Sequence, residues 1–425
     1  MTNTATIFAN ARQVVTCAGP GAARRGPAMA DARILGDVAV AMSGSEITAV
    51  GPLAEVRASH RGALEVDCRQ GVLTPGLVDS HTHAIFGRAR YEEQEYRAAG
   101  LDYMEIARRG GGIHSSVRDL RARTAEELEA LGERRLRLLA SYGITTVEVK
   151  SGYGLSYADE IRTLQVIQRL AHRLPMRIVA TFLGAHEIPM EHRGSSASRA
   201  EYIDILINAL LPAVANERLA AFADVFCETG VYTVEETRRI LGAARARGLL
   251  LKLHADELTS CGGAELAAEL AATSADHLAA ISPDGIRALG GAGTVATLLP
   301  GTMSFLGKMK QAPARALIEA GVPVALATDF NPGTSPTPNL PLIMSFGLSQ
   351  LRMSAHETFI ATTVNGAAAL AVADRVGQIA PGYSADLALW DAEDFREIPY
   401  WYGDRRCRAT WARGKACHQS DLGLT

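Results

Sequence analysis

Through the middle of the chain, short apolar runs alternate with longer amphipathic stretches, the pattern of strand–helix repeats. Eight runs read as strands, over 76–81, 145–150, 177–184, 221–228, 249–254, 273–277, 294–299 and 323–329. Helix-period segments lie between most of them, at 124–142, 157–174, 234–247 and 311–320, and 283–289 belongs to the connection after the sixth strand. Eight β/α units predict a closed (β/α)8 barrel, with an open doubly wound sheet as the alternative. The two ends of the chain differ from the middle. Residues 37–42 and 46–50 flank Ser43-Gly44-Ser45 as a hairpin, and 382–391 reads as β structure entered through a Pro-Gly turn.

Hydrophobic residues make up 48% of the 425 and charged residues 21%, enough to bury a large core. The net charge of −3 gives no basic footprint for nucleic acid or for an anionic membrane. No apolar stretch approaches the roughly 20 residues of a membrane span, and residues 1–20 lack a secretory signal pattern. The six cysteines form no CxxC pair. A reduced, cytoplasmic protein is expected.

In a barrel, the active site lies at the C-terminal ends of the strands. Five of the eleven histidines fall at such ends: His81 and His83 after the first strand, His186 after the third, His254 on the fifth and His277 on the sixth. Asp329 ends the eighth. One such histidine is usually structural, and His-x-His alone needs only two side chains on one face of a strand. Five converging on one rim with a carboxylate suit a Zn²⁺ or Fe²⁺ site with a position left for water. Glu257, three residues beyond His254, is placed to act as general base on that water; a solvent-facing carboxylate at a helix start is the alternative.

These residues resemble the metal-dependent amidohydrolase superfamily. The resemblance rests on Pro75-Gly-Leu-Val-Asp-Ser-His81-Thr-His83, on His254, His277 and Asp329, and on the closing Pro381-Gly-Tyr-Ser-Ala-Asp386-Leu-Ala-Leu-Trp390-Asp391. It covers nearly the whole chain. It implies a catalytic barrel over 73–371 and a small β-sandwich domain built from both termini, 1–72 and 372–425. Narrower motifs are Glu148-Val-Lys150-Ser-Gly-Tyr153-Gly-Leu, Phe182-Leu-Gly-Ala-His186 and Asp329-Phe-Asn331-Pro-Gly333-Thr334. They are similar to a member that opens 4-imidazolone-5-propanoate with water to N-formimidoyl-L-glutamate.

That resemblance implies one Zn²⁺ or Fe ion per subunit on His81, His83, His254 and Asp329. Glu257 would deprotonate the water, His277 would hydrogen-bond the water or the oxyanion, and Asp329 would also shuttle a proton. Arg90 would grip the propanoate, with Tyr103 and Tyr153 beside it, His186 at the ring carbonyl, and Asn331, Gly333 and Thr334 at the tail. A solvated loop arginine is the alternative for Arg90, and a core position the alternative for Tyr103. Lys150 and Glu228 end the second and fourth strands, where relatives with two metals carry a bridging ligand, although the match favours one ion. The implied partners are a small molecule and water, with neither nucleic acid nor membrane, and the implied assembly is a homodimer. A nucleobase aminohydrolase or a catalytically silent scaffold are the competing functions; the first has no use for Arg90, and the second would have lost its ligands.

Overall fold

The computed structural model describes residues 5–101, 105 and 109–420. Its central sheet has eight parallel strands in chain order: Leu77–Asp79, Ile144–Lys150, Arg177–Ala185, Phe222–Cys227, Leu250–Ala255, Ser274–His277, Val295–Leu298 and Val324–Leu326. These are the eight runs expected from the sequence, with ends shifted by up to three residues. The ring closes between the last strand and the first. Asp79 accepts bonds from Thr328 N (3.0 Å) and Thr328 Oγ1 (2.6 Å). Just beyond, His83 N donates to Phe330 O and Asp329 N to His81 O. The two segments that carry the expected metal ligands are therefore stitched to each other by backbone hydrogen bonds.

The helices follow local rules. Ala125–Ala140 and Val234–Arg245 each begin in a capping box, Thr124 with Glu127 and Thr233 with Glu236, so two orphan donors are satisfied at each start. The helix expected over 311–320 is shorter, Ala314–Glu319. Pro313 is the reason: proline disfavours helical backbone at the residue before it, so Ala312 cannot be part of a helix.

The chain ends build two further sheets. One has four strands, Glu46–Gly51, Ala39–Ser43, Thr6–Ala9 and Leu64–Asp67, and contains the expected hairpin around Gly44. The other has six: Lys415–Gln419, Cys407–Ala412, Leu387–Trp390, Val72–Pro75, Gln13–Val15 and Ile34–Leu35. Phe8, Val40 and Ile47 of the first share a core with Val14, Leu73, Leu387, Leu389 and Trp411 of the second. The six-stranded sheet is apolar on both faces because each face is covered. Alternate residues of Leu387–Trp390 point opposite ways, Leu387 and Leu389 into the sandwich, Ala388 and Trp390 into the barrel's helical layer. Val72–Pro75 in this sheet runs through Gly76 directly into the first barrel strand, which ties the sandwich to the segment bearing His81 and His83.

Trp390 is the contact through which this packing can be tested. It is buried, donates to Thr74 Oγ1 (2.9 Å), and lies against Gly143, whose φ is +89°. A Cβ at Gly143 would stand 2.4 Å from the indole. Gly143→Ala is expected to cost about 1–2 kcal/mol for left-handed backbone and about 1–3 kcal/mol for overpacking. The check is the midpoint of chemical denaturation; an unchanged midpoint would show that the barrel–sandwich contact is loose.

Candidate active site

Five imidazoles crowd the C-terminal mouth of the barrel. The His81 ring centroid lies 5.3 Å from His83, 4.6 Å from His254 and 5.4 Å from His277. His186 stacks on His83 at 4.9 Å and 15°. Burial and mutual proximity hold His81, His83 and His277 neutral, their pKa values well below the ordinary value, and push His186 down to about 3. Neutral imidazoles are what a metal needs.

Proximity alone does not distinguish the five rings; their partners do. His81 Nδ1 lies 2.7 Å from Asp276 Oδ2, and His254 Nδ1 lies 3.0 Å from Asp224 Oδ2. The His81 contact is a hydrogen bond, and a carboxylate so bonded fixes the proton on Nδ1 and leaves the Nε2 lone pair free, whereas His254 Nδ1 is close to Asp224 without making a hydrogen bond. His81 Nε2 is buried without a hydrogen-bond partner and stands 3.6 Å from Asp329 Oδ1, which is also 3.5 Å from His83 Nε2. The other Asp329 oxygen accepts from Thr302 Oγ1 at 2.6 Å. His81, His83 and Asp329 form one compact donor group, and His254 belongs to two more that share His81 or His83. Buried acceptors that face one another with no donor between them fit a bound cation. Burial raises Asp329 to about 6, with the Thr302 bond opposing the shift.

Behind these histidines lies a charge cluster inside the barrel. Lys150 Nζ is 2.7 Å from Asp224 and 2.9 Å from Glu148, and Lys252 Nζ is 3.0 Å from Glu148 and donates to Ser80 O at 2.8 Å. All four side chains are fully buried. Although burial opposes its charge, the surrounding carboxylates hold Lys150 above its usual pKa. An amine so engaged is unavailable as a bridge to a second metal. Glu228 is also occupied: its oxygens accept from Leu258 N, Thr259 N and the Thr259 hydroxyl.

That bond set places Glu257. On its other side, Asp256 (φ +48°) accepts from the backbone N–H groups of Cys261, Gly262, Gly263 and Ala264. Glu257 is thus held between two anchored neighbours, 3.6 Å from His277 Nδ1. Burial, with Asp329 and Glu228 nearby, pushes it up to about 8. A carboxyl poised near neutrality suits proton transfer. His277 itself has φ +78°, and Asp329 +52°; non-glycine residues held there mark positions where surrounding structure overrides local preference.

The expected substrate residues take varied places. Tyr153 is buried, with its ring 5.4 Å from His186 and 5.8 Å from His83. The loop carrying it is cradled by Glu160, which accepts from Gly152, Gly154 and Leu155 N–H groups, and Gly152 O in turn fixes His186 Nδ1 at 3.0 Å. Arg90 is mostly buried and lies so close over Gly333 that a Cβ there would meet the guanidinium at 1.6 Å. Asn331 spends its amide inside its own loop, accepting from Gly333 N and Thr334 N and donating to Asp329 O and Thr334 Oγ1. It shapes the loop and has no donor left over. Tyr103 lies outside the described residues.

Asp224, Asp276, Glu148 and Lys252 were legible only as charges inside apolar strands, at positions facing the same way as Lys150 and His254. Thr302 carries no sequence signal at all.

Residues 108–418 match the profile of an amidohydrolase family. The chain belongs to the amidohydrolase family. It is 45% identical to an imidazolonepropionase of Bacillus velezensis, over 96% of both chains, and 46% identical to one of Geobacillus thermodenitrificans, over 92% and 93%. Among solved structures, an adenosine deaminase from Xanthomonas campestris with bound zinc superposes with a TM-score of 0.71 at 20% identity, covering 98% of this chain and 94% of that one. The family is metal-dependent, and the donor groups described above suit a metal. Among the described residues, no helix is long and apolar enough to cross a membrane.

The carboxylates behind the histidines make a testable contribution. Asp276→Asn is expected to weaken metal affinity by about 10- to 100-fold, the usual effect of losing such a partner, and His254→Ala to remove the metal. Competition with a chromogenic chelator reads both. Metal retained by His254→Ala would exclude His254 as a ligand.

Proposed function

We propose that this protein opens the ring of 4-imidazolone-5-propanoate with one water to give N-formimidoyl-L-glutamate, a step of histidine degradation. The observation that carries this reading is the 45% identity to a relative named imidazolonepropionase over 96% of both chains. The site chemistry agrees with it: neutral imidazoles, a carboxyl poised near neutrality, and a buried arginine above the loop after the eighth strand.

On this reading, His81, His83, His254 and Asp329 hold one zinc or iron ion, and engagement of Lys150 and Glu228 elsewhere favours one ion over two. A metal held by these residues would supply Lewis acidity, lowering the pKa of a bound water towards ~7 and polarising the ring carbonyl. Glu257 takes a proton from the attacking water as the water oxygen bonds to the carbonyl carbon. His277, neutral, donates to the oxyanion that develops. The ring C–N bond then breaks, and Asp329 or Glu257 returns the proton to the leaving nitrogen. The former carbonyl ends as a carboxylate and the nitrogen stays in the formimidoyl group.

Arg90 grips the propanoate, with Tyr153 and His186 walling the ring and Gly333 and Thr334 lining the tail. Tyr103 joins them in this proposal, and Asn331 holds the loop's shape. The same reading divides the chain into a catalytic barrel, 73–371, and a terminal β-sandwich, 1–72 with 372–425, working as a cytoplasmic homodimer. A nucleobase aminohydrolase is disfavoured by the buried Arg90, for which a nucleobase offers no anion.

An anaerobic assay with freshly prepared imidazolone propanoate tests the function directly. Formimidoylglutamate should accumulate without ammonia; ammonia release alone would favour deamination. Glu257→Gln should lower kcat by about 10²–10⁴-fold with metal retained. Arg90→Ala should cost roughly 2–5 kcal/mol in kcat/KM, much of it through KM.

A further inference from the structure

Glu93 is an almost fully buried carboxylate that the reaction itself does not use. It lies on the helix Tyr91–Ala98, one turn beyond the N-cap Arg90, and three groups meet on it, two from this helix and its cap and one from the Gly110–Gly112 loop. Arg90 Nε lies 3.2 Å from Oε1, Arg97 Nη2 lies 3.2 Å from Oε2, and Gly112 N donates to Oε1 at 2.7 Å. Gly112 has φ +71°, so only glycine readily presents its N–H there. Arg97 also reaches Gly333 O at 3.4 Å, and Ser116 Oγ accepts from Arg90 Nη1 at 3.2 Å.

Two guanidinium groups meet on this one carboxylate. Arg90 Nε is buried and makes no hydrogen bond, its approach to Glu93 being an ion-pair contact only. Among the described residues, Arg90 Nη2 has no hydrogen-bond partner either. Glu93 holds the Nε side and Ser116 one Nη1 proton, so the donors left are those of Nη2 and the second of Nη1. That is the edge a carboxylate would occupy in a two-point contact. Without Glu93, Arg90 and Arg97 would repel one another, and a flexible side chain would have to be ordered anew by each substrate.

We infer that Glu93 is a positioning residue for carboxylate recognition: it fixes the Arg90 fork above Gly333 and ties it to the Gly110–Gly112 loop, and so sets the preference for a substrate bearing an anionic tail. The Gly110–Gly112 stretch is then a strap anchored to the clamp. This rests on the proposal that Arg90 binds the propanoate.

The experiment compares kcat and KM for imidazolone propanoate with those for the same ring carrying a propanamide tail, in wild type, Arg90→Ala, Glu93→Gln and Glu93→Asp. Glu93→Gln keeps size and removes charge. Its preference ratio for the carboxylate should fall by about tenfold or more, through KM, with kcat for the amide substrate within about threefold of wild type. Glu93→Asp keeps the charge at shorter reach and should fall between the two; it carries the test by itself if the glutamine variant does not fold. A purely structural role would depress both substrates alike and leave the ratio unchanged, which overturns the inference. A wild-type ratio in Glu93→Gln with a collapsed ratio in Arg90→Ala overturns the inference alone. An unchanged ratio in Arg90→Ala overturns it together with the assignment of Arg90.

Discussion

The site depends on a cluster of buried charges. Lys150 and Lys252 are shared among Glu148, Asp224 and Asp276, with side chains wholly removed from water. Such charges are costly to bury and are kept only when each finds a partner. Here the cluster spans the second, fourth, fifth and sixth barrel strands, so barrel closure and charge pairing require each other. Its outer layer faces the histidines. Asp276 bonds His81 Nδ1, Asp224 accepts from the His254 backbone N–H and lies 3.0 Å from its Nδ1, and each is within reach of a lysine. The lysines hold the carboxylates, Asp276 sets the tautomer of His81, and Asp224 anchors the backbone of His254. Removing one lysine would leave carboxylates unpaired and loosen the ligands they orient.

The loops above the barrel are governed by a second recurring device, a buried carboxylate that collects backbone N–H groups. Asp256 collects four, Glu160 gathers the 152–155 loop, Glu228 pins the residues after Glu257, and Asp79 fastens the eighth strand end to the first. Each converts a loop that would otherwise sample many conformations into a fixed platform, with the entropy lost at folding instead of at substrate binding. This explains how Asp256, His277 and Asp329 remain at positive φ: the bonds around them over-determine the backbone. Glu93 extends the device from backbone to side chain by gathering Arg90, Arg97 and the Gly112 N–H.

Sequence by itself determined the eight strands and several of the helices between them, because period and capping are local properties. It also located His81, His83, His186, His254, His277, Glu257 and Asp329 together, because a barrel brings all strand ends to one rim whatever their separation in the chain. Tertiary structure decided what each of them does. Five histidines look alike in a sequence; only the carboxylates behind His81 and His254 and the shared oxygen of Asp329 distinguish them, and those partners come from other strands, up to 195 positions away. Lys150 and Glu228 could have served a second metal by position alone, and only their existing bonds show that they are committed elsewhere. Asn331 reads as a substrate contact in its motif, yet its amide is used up within three residues of itself. Thr302 and Glu93 carry no signal in one dimension. Hydrogen bonding is short-ranged and directional, so a side chain's role is fixed by which donor or acceptor stands about 3 Å away, and that is decided only when the chain has closed on itself.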